Sequence, residues 1–486
     1  MFESLGVALI LLHIVIGFAA AVAISLRRKP ATAIAWILTI VFIPFTGAII
    51  FLIIGVGRLP GSRRLKQREV CGIMLRRPEL DRHRAGHGNP DWLDTALILN
   101  ERLGSLPMLG GNDAILIEDY GRSIEMMIGD IDAAEEFVHV EFYILVLDDT
   151  TGPIFDALAR ATARGVKVRV LSDFISGYMF PNRRATVDAL DRIGAQWHPM
   201  LPLRPWRGQW QRPDLRNHRK LLVIDGRVGY TGSQNLIDDS YLKPKNVRRG
   251  LHWLELMVRM EGPTVGELNA VFVTDWYSET DELLPVSVHT VAGAADRSPQ
   301  TIAGLDAQVV PSGPSFENDN NLKLFVMLIQ NARRRVSITS PYFVPDESTL
   351  LALVTAASRG VEVELFVSEV ADQLLVHHAQ RSYYSDLLDA GVAIYLYRSP
   401  TVLHSKHFTI DDEVAVIGSS NMDIRSFSLN MEVSVLVRSR GFTDHMREVE
   451  DNYRDNSLRL DPEEWSGRPM GGRILDALAR LTSALQ

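Results

Sequence analysis

The chain has 486 residues, 46% of them hydrophobic and 23% charged, with a formal net charge of −8 and a mean hydropathy of +0.03. This composition excludes a disordered or low-complexity protein, and the acidic balance argues against general nucleic-acid coating. One cysteine, Cys71, excludes an intramolecular disulfide and a cysteine-based zinc cluster.

Ser4 to Leu26 contains no Asp, Glu, Lys or Arg. After Arg27, Arg28 and Lys29, the run Pro30 to Gly57 is again uncharged. Each run exceeds the roughly 20 apolar residues that span a bilayer as a helix, and neither carries the charged face of a surface helix. A cleaved signal peptide would want a basic start and no second apolar run, whereas this chain begins with Glu3 alone. The expectation is a two-helix transmembrane hairpin over residues 1–57. Arg58, Arg63, Arg64, Lys66 and Arg68 follow it, outnumbering the loop's three bases, so the positive-inside tendency puts the body in the cytoplasm.

Residues 58–94 read as a juxtamembrane linker, and the rest repeats itself. Val138–Tyr143 reads as a strand, a helix follows, and Ala163–Val170 turns at a glycine into a second strand. Val336–Phe343 and Ser358–Leu365 match them. Alternating strands and helices indicate an α/β fold. A period near 190 residues makes this a duplicated domain rather than a solenoid, with copies at 95–295 and 296–486. The link between them falls near Glu279 to Ser312, where Pro, Gly, Ser and Ala accumulate.

A sharper repeat lies inside the coarse one. His218, Lys220, Asp225, Gly232, Ser233 and Asn235 recur with identical spacing as His404, Lys406, Asp411, Gly418, Ser419 and Asn421. His and Lys two apart on a strand share a face. A turn at Asp225 or Asp411 then brings the Gly-Ser-x-Asn loop back beside them. Two imidazoles, two cations and two amides suit phosphoryl transfer. Lys and Asn neutralise non-bridging oxygens, one His attacks phosphorus, and the other serves as acid and base. The lysines supply the charge a metal would, so neither metal nor cofactor is implied. A single His-x-Lys is usually a solvated strand face; two in register with a domain repeat are not. Asp225 and Asp411, grouped with the catalytic set, sit at turns and are either structural or chemical.

Trp197 to Lys220 carries Arg204, Arg207, Arg212, Arg216, Arg219 and Lys220 against Asp214, with Trp197, Trp206 and Trp210. Trp with Arg suits a lipid headgroup interface, and Trp206, Arg207, Trp210 and Arg212 are the expected contacts. His377 and His378 point apart and are read as non-ligands, and Cys71 as an ordinary thiol. Apolar spacing in Gly472–Leu485 (Ile474, Leu475, Leu478, Leu481, Leu485) reads as a packing helix.

The paired His-x-Lys-x4-Asp and Gly-Ser-x-Asn segments resemble the phospholipase D superfamily and, more narrowly, its bacterial cardiolipin synthases. Ala35-Trp36 through Pro44–Gly47 to Gly55, Ser340–Asp346, and Gly418–Ser426 with Asn430 and Glu432 support the likeness. Glu255, in Trp253-Leu-Glu255, is the first-half counterpart of Glu432. The resemblance implies two tandem phospholipase D-like α-β-α sandwich domains behind the hairpin. It implies a ping-pong reaction of two phosphatidylglycerols, giving cardiolipin and glycerol through a phosphatidyl-histidine. His218 is then the nucleophile and His404 the acid/base, although the residues themselves do not break that symmetry. Ser233, Asn235, Ser419 and Asn421 would support the phosphate, with Glu255 and Glu432 orienting the histidines. Expected partners are phospholipid and membrane, not nucleic acid; a homodimer is compatible with the sequence but not fixed by it. The expected location is a bacterial inner (plasma) membrane, multi-pass. The competing readings are a phospholipase D releasing phosphatidic acid, a nuclease, and a catalytically silent lipid-binding scaffold.

Overall fold

The computed structural model describes residues 2–26, 30–43, 45–55, 59, 61–85, 90–104, 106–207, 209, 211–291, 298–316, 319–370 and 372–483. The chain divides into two compact units: Met1–Leu59 with Leu203–Leu215, and Pro60–Pro202 with Arg216–Gln486.

The first unit holds the helices α1 (Phe2–Ser25), α2 (Pro30–Phe42) and α3 (Thr46–Ile50), then a π-helical turn over Phe51–Gly55. The second apolar run is therefore not the single helix expected. The sequence places Pro44, which has no amide hydrogen to donate, just ahead of Phe45, whose backbone is left-handed at φ 61°. The 13 residues of α2 reach about 20 Å, short of the roughly 30 Å hydrocarbon core. Among the described residues no helix is long and apolar enough to cross a membrane; the side chains of α1 are described only from Leu11 onward. Ile24, Ala33 and Ile40 pack together between the helices, while Phe18 (73%) and Leu26 (80%) stand exposed. Arg27, Arg28, Lys29 and Arg58 lie outside the described residues.

The second unit contains both repeats. In the first half the strands are β1 (Leu109–Ile117), β2 (Phe137–Phe142), β3 (Lys167–Asp173), β4 (Gln196–Met200), β5 (Lys220–Ile224), β6 (Val228–Gly232), β7 (His252–Leu254) and β8 (Met257–Glu261). In the second they are β9 (Ile302–Ser312), β10 (Arg335–Thr339), β11 (Phe343–Val344), β12 (Glu362–Ser368), β13 (Ala393–Tyr397), β14 (Thr401–Leu403), β15 (His407–Ile410), β16 (Val414–Gly418), β17 (Met422–Asp423), β18 (Glu432–Arg438) and β19 (Ser457–Arg459).

Each half pairs three strands in parallel, β2-β3-β4 or β10-β12-β13, and continues through an antiparallel set, β5-β6-β8-β1 or β15-β16-β18-β9. β1 and β9 then pair antiparallel, fusing the halves into one fifteen-stranded sheet. The expected link through Ser312 is thus corrected: Ile302–Ser312 is a central strand. Its Gly304, Pro311 and Ser312 resemble a breaker cluster, yet Leu305, Ala307, Val309 and Val310 are buried. β5 and β16 are buried along their whole length, as strands covered on both faces must be. Helices Tyr120–Asp132 and Gly152–Ala163 close one core with Ile124, Met127, Ile154 and Leu158. Helices Asn320–Asn331 and Glu347–Ser358 close the other with Leu324, Phe325, Leu328 and Leu353.

The C-terminal helix, Met470–Arg480, corrects a further expectation. Asp476 and Ala479 are buried, whereas Ile474, Leu475, Leu478 and Leu481 are exposed. A polar anchor turns the apolar face outward: Asp476 accepts from His378 Nδ1 and Arg468 Nη1, both at 2.8 Å. Leu485 lies outside the described residues. Among the described residues no group of His, Cys, Asp and Glu could hold a metal ion. Cys71 is buried, and burial pushes its thiol up to about 11.

Candidate active site

β5 and β15 position the two His–Lys pairs. Each strand leaves through a left-handed aspartate, Asp225 at φ 53° and Asp411 at φ 51°, a conformation Asp tolerates in turns. The return strands β6 and β16 end at Gly232 and Gly418. There a Cβ would meet Leu256 O at 2.3 Å and Val433 O at 2.4 Å, so only glycine admits the neighbouring backbone this closely. The serine that follows exploits that approach. Ser233 Oγ accepts from Leu256 N at 2.9 Å, and Ser419 Oγ accepts from Val433 N at 3.0 Å. Leu256 and Val433 directly follow Glu255 and Glu432, so both serines fix a glutamate.

Those glutamates cross between the halves. His218 Nδ1 lies 3.1 and 3.0 Å from the Glu432 oxygens, and His404 Nδ1 lies 2.7 Å from Glu255 Oε1. The backbones cross as well: His218 N donates to Met431 O, and His404 N to Leu254 O, both at 2.8 Å. A carboxylate on Nδ1 holds that nitrogen protonated and leaves Nε2 as the lone-pair nitrogen. Each imidazole is therefore made ready by the opposite repeat.

Lys220 Nζ donates to His218 O, and Lys406 Nζ to His404 O, at 2.6 Å in both cases. Lys406 Nζ also stands 3.2 Å from each nitrogen of the His404 ring. Burial pushes both histidines down to about 4; the paired glutamate pulls each back up, while Lys220 and Lys406 push both down. Burial likewise holds Lys220 well below its ordinary value and Lys406 at about 8. Each histidine thus feels the lysine of the other half, as it does only where the two half-sites converge. Glu255 and Glu432 are held below the usual carboxylate value: burial opposes this, and the paired histidine and the lysines outweigh it.

The asparagines differ. Asn235 Oδ1 accepts from Ile144 N at 3.2 Å, and Nδ2 donates to Tyr241 OH, which donates to Glu255 Oε1, both at 2.9 Å. Asn421 Oδ1 is buried without a partner among the described residues. Asp225 accepts from Glu135 N, Glu136 N and Phe137 N, each at 2.8 Å, and Asp411 from the amides of Arg333, Arg334 and Arg335. Both aspartates stand at the strand end opposite the histidine and start β2 and β10. These bonds favour the structural of the two readings of the pair.

The basic segment is corrected too. Arg216 pairs with Asp173 at 3.2 Å, Arg219 pairs with Asp275, and Lys220 is in the site, all buried. Half of the segment's positive charge therefore never faces the surface. Trp197 is a partly buried packing residue bonded to Ser172 Oγ at 3.2 Å. Trp206 and Arg207 are exposed, Arg212 pairs with Asp214, and Trp210 lies outside the described residues. Tyr143 and Tyr342 lie outside the set of site residues expected from the sequence. Their rings lie 5.0 Å from His218 and 6.2 Å from His404. Each follows the strand, β2 or β10, that pairs with its own half's His–Lys strand, and that was the available signal.

The family model described as "Cardiolipin synthase, PLD-like domain" matches residues 127–276 and 325–453, and one described as "Phospholipase_D-nuclease N-terminal" matches 14–55. Cardiolipin synthase A of Wigglesworthia glossinidia brevipalpis is 31% identical over 93% of this chain and 90% of its own length. Cardiolipin synthase A of Yersinia pseudotuberculosis serotype O:1b (strain IP 31758) is 32% identical over 94% of each. The crystal structure of phosphatidylserine synthase from Haemophilus influenzae Rd KW20 matches with a TM-score of 0.59, over 81% of this chain and 100% of that one, at 13% identity. That last likeness is one of fold alone. The sequence match runs through both repeats and nearly the whole length rather than through the His–Lys segments alone, so the chain belongs to the bacterial cardiolipin synthases of the phospholipase D superfamily.

Proposed function

We propose that the protein is a phosphatidyltransferase that makes cardiolipin and glycerol from two phosphatidylglycerols. The observation that carries this is the crossed His–Glu pairing, which readies two imidazoles at one lysine-lined site. His218 Nε2 attacks the phosphorus of the first phosphatidylglycerol. The phosphorus–oxygen bond to glycerol breaks, His404, which enters this step as the imidazolium with its charge balanced by Glu255, gives its Nε2 proton to the departing alkoxide, and a phosphatidyl-His218 forms. His404 then takes the proton from the terminal hydroxyl of the second phosphatidylglycerol. That oxygen attacks phosphorus, releasing His218 and cardiolipin. Lys220 and Lys406, with the Asn421 amide, stabilise the non-bridging oxygens. The assignment of nucleophile is supported by exposure: the His218 side chain is 13% accessible and that of His404 6%. Asn235, Ser233 and Ser419 act through Glu255 and Glu432.

Each repeat is read as an α-β-α sandwich, with the division at 95–295 and 296–486. The N-terminal unit is read as a membrane hairpin with a broken second limb. Its exposed leucines and phenylalanines support that, since soluble proteins seldom leave contiguous apolar surface open to water. Leu203–Leu215, bearing Trp206 and Arg207, belongs to the same compact unit, which supports a lipid-facing role for those side chains. We put the body on the cytoplasmic side of a bacterial inner membrane, a reading supported by the five bases between Arg58 and Arg68.

The test is incubation of the purified enzyme with phosphatidylglycerol in mixed micelles containing chelator. Cardiolipin and glycerol in equal amounts are expected. Phosphatidic acid as the main product would replace transfer with hydrolysis.

A further inference from the structure

The C-terminal helix Met470–Arg480 wears its apolar side chains outward. Met470, Ile474, Leu478 and Leu481, three or four residues apart, form one exposed ridge with Leu475 beside it. Leu478 is 56% and Leu481 81% exposed. This is no loosely held terminus. Asp476, 2% exposed, accepts from His378 and Arg468 and lies 3.5 Å from Arg381. Ala479 packs with Val344, Ala379 and Tyr383. The helix's one acid is therefore consumed internally, and the charges left on its outer side are Arg473 and Arg480, the latter 3.5 Å from the half-exposed Asp386.

The ridge is tied to the catalytic wall. Its packing partner, helix Leu374–Arg381, exposes Leu374 (70%) and Leu375 (51%). Gln380 Oε1 of that helix accepts from Phe343 N at 2.9 Å, beside Tyr342. Tyr342 OH in turn donates to Asp372 at 3.0 Å, two residues ahead of Leu374, while its ring faces His404. We infer that this ridge, with Leu374 and Leu375, is an interfacial anchor that seats the second repeat's side of the active site on an anionic phospholipid surface. The inference rests on the lipid substrate proposed above. An apolar ridge on a helix that exposes arginines and no acid of its own matches the headgroup–acyl boundary of a negatively charged bilayer.

Cys71 is buried, so a cysteine introduced on the ridge is the accessible thiol. Leu478→Cys, Leu481→Cys and a control, Arg184→Cys on a 95% exposed side chain, are labelled with a fluorophore. The full-length variants are reconstituted in vesicles of equimolar phosphatidylglycerol and phosphatidylcholine. Doxyl-labelled lipid should quench the two ridge labels about fivefold more than the control, with iodide showing the reverse order. Ridge labels reached by iodide as freely as the control would overturn the anchor. So would ridge labels shielded from both quenchers in proportion to protein density, which would assign the face to a second copy. Turnover in the same vesicles separates the two readings. Cardiolipin formed beside an unquenched label sinks the anchor alone, and a quenched label without turnover sinks the proposed activity alone.

Discussion

We propose that Glu432 and Glu255 each set the tautomer of the histidine supplied by the other repeat, whose Nδ1 they face. Glu432→Gln keeps the shape and can still accept from His218 Nδ1, but it removes the charge that supports an imidazolium. General acid–base contributions of about 10²–10⁴ set the scale. We therefore expect kcat to fall at least about 100-fold with KM changed little, read from initial rates in phosphatidylglycerol micelles. Asp225→Asn is the contrasting variant. It weakens a carboxylate that accepts three backbone amides, where hydrogen bonds to a charged group contribute about 1.5–3 kcal/mol each. Its melting temperature should drop by several degrees while the folded fraction keeps a kcat near wild type. A kcat loss at an unchanged melting temperature would put Asp225 back among the reacting groups. The sequence offered His, Lys, Asn and Asp at equal spacing, and spacing could not rank them. What separates Asp225 from His218 is the length of β5, which carries the carboxylate to the far end of the strand.

At the scale of elements, the legible part was what repeats locally. β2, β3, β5, β10, β12 and β15 lie where strand patterning and the His-x-Lys motif put them, because each is written in a few consecutive residues. Contacts between distant segments were not written that way. β9 looked like a linker because Gly304 and Pro311 interrupt it, and only its pairing with β1 and β18 makes it a strand. The helix Met470–Arg480 looked like a packing helix because spacing reveals an apolar face without saying what covers it. The Gly-Ser-x-Asn loops are an element whose geometry can be tested. A Cβ at Gly418 would lie 2.4 Å from Val433 O and 2.5 Å from Ser434 Cα, whereas one at Gly129, in helix Tyr120–Asp132, meets nothing within 4 Å. Gly418→Ala should push β16 from β18 and with it Ser419 from Glu432, lowering both the melting temperature and kcat. Gly129→Ala should instead stabilise by about 0.5–1 kcal/mol through the entropy of the unfolded chain. Equal effects of the two substitutions, measured by thermal unfolding, would remove the close approach as the reason for Gly418.

Across the whole molecule, the fused sheet buries titratable groups of opposite kinds, and their pH dependences oppose one another. Burial pushes His139 and His407 down to about 3, and the ring nitrogens of His407 have no hydrogen-bond partner among the described residues. The unfolded histidine takes its proton near 6.5. Their contribution to stability is thus complete above that pH and is lost as pH falls toward 3, because only the unfolded chain binds protons there. Glu267 behaves in the opposite sense. Burial holds its carboxyl well above the usual value; Oε2 accepts from Val309 N at 3.2 Å and Oε1 has no partner among the described residues. Its penalty is absent at low pH and grows as pH rises past the unfolded value near 4.3, because the unfolded chain ionises first. His407→Gln and Glu267→Gln each remove one titration and keep a polar side chain. The offset in melting temperature depends on how each amide packs, so the slope of the difference from wild type against pH is the quantity to measure. For His407→Gln that difference should become more favourable as pH falls from 7 to 5. For Glu267→Gln it should become more favourable as pH rises from 5 to 8. Parallel slopes for the two variants would mean that one of these groups is hydrated in the native protein and titrates as it does in water.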